Sequence, residues 1–156
     1  MSPRKILTIV FLAALLGIGY QSMNAAPVLS DQSYSYHGET KWHTNFSSAR
    51  AVAVNQDKPI LVYFWTTWCT YCEDYNQNVY SDPAVRAHLD DFVLVAVNLD
   101  NNSPEASRLK QQYGATYPPQ HVAITQQGQQ LAKINGYAKK KAFIDYLERA
   151  QRRANQ

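Results

Sequence analysis

Residues 58–78 read Lys58-Pro59-Ile60-Leu61-Val62-Tyr63-Phe64-Trp65-Thr66-Thr67-Trp68-Cys69-Thr70-Tyr71-Cys72-Glu73-Asp74-Tyr75-Asn76-Gln77-Asn78. Ile60–Trp65 is apolar or aromatic throughout, with no alternation. That pattern predicts a strand covered on both faces, as in a sheet with helices on either side. The stretch after Cys69 is polar and predicts a helix running towards Asn78. The only two cysteines, Cys69 and Cys72, fall where the strand gives way to that helix.

The neighbouring segments extend the pattern. Asn45 is placed to cap a helix from Phe46 to about Asn55, with Phe46, Ala49, Val52 and Ala53 on one face. Asp82-Pro83 and Ser103-Pro104 each put a capping residue before a proline at the first helical position. Their helices are expected to end near Leu89 and at Tyr113-Gly114. Phe92–Asn98 reads as a second buried strand. His121–Thr125 and Gln130–Ile134 read as a hairpin turning at Gln126-Gln127-Gly128. A last helix over about Lys139–Arg152 is expected to point Phe143, Ile144 and Leu147 inward. Strands separated by helices predict a parallel core with right-handed crossovers, and the hairpin adds antiparallel strands. The fold class is α/β, with a central mixed β-sheet flanked by helices.

The chain has 156 residues, 46% hydrophobic and 17% charged, which fits one packed domain. Residues 1–26 read as a leader: Arg4 and Lys5 precede an apolar run, and Ala25-Ala26 follow. It is expected to be a secretory signal or, uncleaved, an N-terminal anchor. Residues 27–41 read as a flexible lead-in, and 42–156 as the domain. Formal net charge is +3; without Arg4 and Lys5, 13 basic residues face 12 acidic ones. That near-balance argues against a nucleic-acid partner. An exported chain meets an environment in which a disulfide persists.

Two cysteines exclude a multi-disulfide scaffold and a single-chain zinc site built from three or four cysteines. Glu73 stands where c-type haem attachment needs a histidine. His37, His43, His88 and His121 show no ligand spacing, so neither a metal nor a cofactor is expected. A helix start leaves unpaired N–H groups that favour a thiolate, and such thiols have pKa values of about 3.5–7.5 against about 8.5 when free. Cys69 is therefore the expected nucleophile. Cys72, a turn deeper, is the expected resolving thiol that releases the mixed disulfide. A purely structural disulfide, or half a zinc site completed by a dimer, are the alternatives. Trp65, Trp68 and Tyr71 read either as a peptide-binding surface or as core.

With these residues in view, the chain resembles the thioredoxin family over about residues 42–150. The resemblance rests on Lys58–Trp65, on Trp68-Cys69-Thr70-Tyr71-Cys72 and on a later proline before a strand. The segment Val79-Tyr80-Ser81-Asp82-Pro83-Ala84-Val85 is most similar to the periplasmic C-terminal thioredoxin domain of DsbD and its stand-alone relatives. The resemblance implies a thioredoxin fold and a thiol-disulfide oxidoreductase outside the cytoplasm, acting on protein thiols or disulfides. It further implies a reducing or isomerising direction, a membrane electron donor of the DsbD type, and a monomer. A disulfide-forming oxidase and a non-catalytic binding module are the other readings.

Members of the family place a cis-proline opposite the cysteines. Counting back from Gly128, Pro119 fits that role, so a cis Pro118–Pro119 bond close to Cys69 is implied. Trp68 is implied to flank the site. The family's buried Asp, six residues before the first cysteine, is replaced here by Tyr63, and Thr70-Tyr71 replaces the Gly-Pro of cytoplasmic thioredoxins. Glu73 and Asp74, just past the motif, read either as solvated helix-face residues or as a substitute, by way of water, for the proton-accepting Asp.

Overall fold

The computed structural model describes residues 40–156; the leader expected over 1–26 and residues 27–39 of the lead-in lie outside them. Three helices begin where an Asn, Asp or Ser side chain satisfies a free N–H group. Asn45 accepts from Ser48 N–H at 2.7 Å and starts α1 (Phe46–Gln56). Asp82 accepts from Ala84 N–H at 2.9 Å ahead of α3 (Pro83–Leu89). Ser103 accepts from Ala106 N–H at 3.2 Å ahead of α4 (Pro104–Tyr113). Gly114, at φ 58°, ends α4 in the left-handed conformation that glycine adopts without a Cβ clash.

The other elements are β1 (Ile60–Trp65), α2 (Thr70–Tyr75), β2 (Val93–Asn98), β3 (Gln120–Ile124), β4 (Gln130–Asn135) and α5 (Lys140–Ala154). The strands form one sheet in the order β2-β1-β3-β4. β1 and β2 run parallel, while β3 is antiparallel to both β1 and β4. The mixed sheet between helices is the α/β arrangement expected from the strand and helix order, and it is the thioredoxin fold that the resemblance implied. Trp42 is buried, and His43 adds a parallel bridge beside Val95 through hydrogen bonds of 2.8 Å to Leu94 and Ala96.

β1 is buried on both sides, and its alternation assigns residues to two cores. Ile60, Val62 and Phe64 face α1 and α4. Leu61, Tyr63 and Trp65 face Cys69, Cys72, α3 and α5. No helix among the described residues is long and apolar enough to cross a membrane.

Two local expectations need correction. The helix after the cysteines does not run unbroken to Asn78: α2 gives way to a π-helical turn, Asn76–Tyr80. The wider turn lets the adjacent apolar residues Val79 and Tyr80 both reach the core. Ile144 is only partly buried, because Phe143, Tyr146, Leu147 and Ala150, at helical spacing, take the inner face of α5. Val52 packs at the margin of the other core on the same face as Phe46, Ala49 and Ala53, as expected.

Candidate functional site

Cys69 closes the loop after β1 and is the N-cap of α2, with extended backbone at φ −88°, ψ 100°. Its Sγ accepts the Cys72 N–H at 3.1 Å. The two sulfurs are bonded at 2.08 Å, with the Cα atoms 5.2 Å apart. On reduction, the same N–H and the helix start would stabilise a Cys69 thiolate. The two cysteines differ little in exposure: Cys69 is 9% exposed and Cys72, a turn deeper, 5%. Both pack into the core cluster with Trp65 and Tyr75, so position on the helix separates them more than exposure does.

The Pro118–Pro119 bond is cis. β3 starts with Gln120 paired to Phe64, so the register carries Pro119 level with Trp65, at the sheet end that leads to Cys69. Its carbonyl accepts the Gly136 N–H at 2.8 Å. Pro118 has no N–H to offer. Trp68 is 66% exposed, and its indole N–H donates to Asp100 at 3.0 Å. Lys110 holds the loop that carries Asp100, donating to the carbonyls of Leu99 at 3.0 Å and Asn101 at 2.9 Å. Tyr71 and Tyr117 are also exposed, and Tyr71 stacks on Tyr137 with centroids 6.0 Å apart. Trp65 is core rather than surface.

Tyr63 lies beneath the cysteines, fully buried and paired across the sheet with His121. The two rings stack at 4.6 Å with 7° between planes. Tyr80 meets the His121 Nε2 through its hydroxyl at 2.5 Å, and Tyr75 and Phe143 close the cluster. Burial, followed by the nearby Tyr75 phenol, pushes the Tyr63 ionisation far upward, outweighing its bond to Tyr80. Burial likewise raises Tyr75 and Tyr80. Tyr63 therefore keeps its proton in the working range and cannot take one from Cys72.

Ligand spacing gives His121 no role, yet the side chain is fully buried in the aromatic cluster. The signal was available: any histidine inside a strand covered on both faces must be buried. His43 and His88 are only partly buried, and His37 lies outside the described residues. No cluster of metal-ligating side chains occurs among the described residues.

A family model described as a thioredoxin-like domain matches residues 46–151. The chain belongs to this thioredoxin-like domain family. The thiol:disulfide interchange protein DsbD of Photorhabdus laumondii is 28% identical over 96 residues, covering 60% of this chain and 17% of that protein. DsbD of Vibrio vulnificus is 27% identical over 101 residues, covering 64% and 17%. The chain thus spans about one sixth of the length of these curated relatives. Among solved structures, a thioredoxin from Thermus thermophilus aligns with a TM-score of 0.62 at 26% identity, covering 71% of this chain and 86% of that one. The oxidised C-terminal domain of Neisseria meningitidis DsbD shares the fold, with a TM-score of 0.61 at 21% identity, covering 70% and 99%. This thioredoxin-like domain therefore pairs the fold of disulfide oxidoreductases with a Cys-x-x-Cys disulfide at Cys69 and Cys72.

Proposed function

We propose that this thioredoxin-like domain exchanges disulfides with proteins outside the cytoplasm, in the reducing or isomerising direction. The observation that carries the reading is the Cys69–Cys72 bond at the N-cap of α2, with a backbone N–H already directed at the Cys69 sulfur. In the reduced protein, the Cys69 thiolate attacks a substrate disulfide and expels one substrate thiolate. Cys72 then attacks the Cys69 sulfur of the mixed disulfide, releases the second substrate thiol and restores the Cys69–Cys72 bond. Trp68, exposed and tied to Asp100, flanks the approach. Pro119 faces the same end of the sheet.

The similarity to DsbD supports a membrane protein of that type as electron donor, and the leader over 1–26 supports export, either as a cleaved signal or as a tether. The domain works as a monomer over about residues 42–156, with no nucleic acid, metal or cofactor. The test is reduction of a model disulfide protein by purified chain with a thiol donor. Cys69→Ser abolishes turnover, and Cys72→Ser stalls as a mixed disulfide on Cys69. A reducing role predicts a couple nearer the about −270 mV of thioredoxin than the about −120 mV of a strong oxidant. An inert wild-type chain would leave only a structural disulfide.

A further inference from the structure

A cavity of about 120 Å³ opens beside the disulfide, walled by Tyr63, Thr66, Cys69, Cys72, Glu73 and Asn76. A water molecule takes about 30 Å³ of liquid, so the space suits a small cluster. Two of its walls ask for one. Thr66 is 2% exposed, and its Oγ1 is buried with no hydrogen-bond partner among the described residues. The Asn76 Oδ1 is buried in the same condition. Buried oxygens of this kind, in a polar space that can admit water, are ordinarily satisfied by it. Glu73 is exposed, so its carboxylate belongs to the solvent side, where Gln77 donates to its Oε1 at 3.0 Å. Asp74, its neighbour, is not part of the wall.

We infer that water anchored on Thr66 and Asn76 carries the Cys72 proton to the Glu73 carboxylate during release of the mixed disulfide. This rests on the exchange reaction proposed above and assigns its proton acceptor. Cys72 S–H loses its proton through water to Glu73, and the resulting thiolate attacks the Cys69 sulfur. The Cys72–Cys69 bond forms as the Cys69–substrate bond breaks. The electron pair leaves with the substrate thiolate, and the proton on Glu73 returns to that thiolate or to solvent. Other groups around Cys72 do not compete. Tyr63, from β1, holds its own proton, and His121, from β3, lies behind it with Nε2 engaged by Tyr80. Tyr75 is committed to Gly136 and Ala138, on the segment leading to α5. Asp100, beyond β2, is engaged by Trp68.

The experiment follows reduced full-length protein reacting with dithionitrobenzoate. Its aromatic thiolate leaves without needing a proton, so a first phase reports attack by Cys69 and a second reports deprotonation and attack by Cys72. Glu73→Gln is expected to leave the first phase unchanged and slow the second by at least about a hundredfold at neutral pH, the low side of general-base effects. The second phase of that variant should then rise with pH throughout the alkaline range, as an unassisted buried thiol ionises. Glu73→Asp should recover part of the rate, Thr66→Val should slow the second phase several-fold, and Asp74→Asn should change neither phase. A second phase with the same rate and pH profile in Glu73→Gln, or one slowed instead by Asp74→Asn, overturns the inference while leaving disulfide exchange intact. Absence of the first phase in the wild-type chain overturns both.

Discussion

The two sides of the sheet are built from different materials. Towards α1 and α4, the core is largely aliphatic: Ile60, Val62, Val95, Val122, Ile124 and Leu109. Towards the cysteines and α5 it is built around an aromatic cluster, with Tyr63, Tyr75, Tyr80 and Phe143 packed around His121, Trp42 against Tyr63 and Tyr80, and Tyr146 against Phe143. Aliphatic packing is non-directional and tolerates exchange of similar volumes. The aromatic side also carries hydroxyl and ring-nitrogen atoms that must be paired, so it is fixed by geometry as well as by volume. The disulfide and its cavity lie on this second, more specified side.

The largest way to break the comparison is alkali. Tyr63, Tyr75, Tyr80 and Tyr146 all ionise well above the ordinary value of 10.0 when folded, chiefly because burial disfavours the phenolate. A folded-state value raised in this way gives stability that is complete below the unfolded value and is lost as pH climbs beyond it. Thermal stability should therefore hold up to about pH 10 and then collapse. Tyrosinate absorbance from the aromatic side should appear with unfolding, not before it. On the aliphatic side only Tyr113 joins the buried cluster. Gradual ionisation of the buried phenols in a chain that stays folded would contradict the picture.

A mid-sized effect separates the sides by spectroscopy. Phe143 packs on His121 at 4.9 Å, Tyr75 at 5.3 Å and Tyr146 at 5.7 Å. Phe143→Ala should cost about 3–5 kcal/mol, and Leu109→Ala on the other face about 2–5 kcal/mol. Denaturant melts check both values. Near-ultraviolet circular dichroism should lose intensity in Phe143→Ala and keep it in Leu109→Ala, because only the first removes a ring from the coupled cluster.

The smallest effect lies at the edge of the aliphatic side. Glu105 reaches from α4 to the start of α1, accepting from Phe46 N–H and Ser47 N–H at 3.1 Å each and from the Ser47 hydroxyl at 2.8 Å. A carboxylate at a helix N-terminus supplies partners for free N–H groups and opposes the dipole. Glu105→Ala should lower stability by about 1–2 kcal/mol in a urea melt and leave both phases of disulfide exchange as they were.

What the sequence determined by itself is local. Asn45, Asp82-Pro83, Ser103-Pro104 and Gly114 set helix ends because a cap needs only neighbours a few residues away. Ile60–Trp65 declared a strand buried on both faces, and the two cysteines declared their own proximity. Beyond Tyr63, which that strand contains, the tertiary structure alone decided which tyrosines are buried. Tyr63 and Tyr80 reach His121 only through the β1–β3 register and a π-helical turn, and Tyr80 and His121 are 41 residues apart in the chain. The same holds for the cavity, where Thr66 comes from the loop just past β1 and Asn76 from the start of the π-helical turn. No periodicity in the sequence encodes that meeting, because a one-residue shift in strand register would send Tyr63 to the opposite face of the sheet.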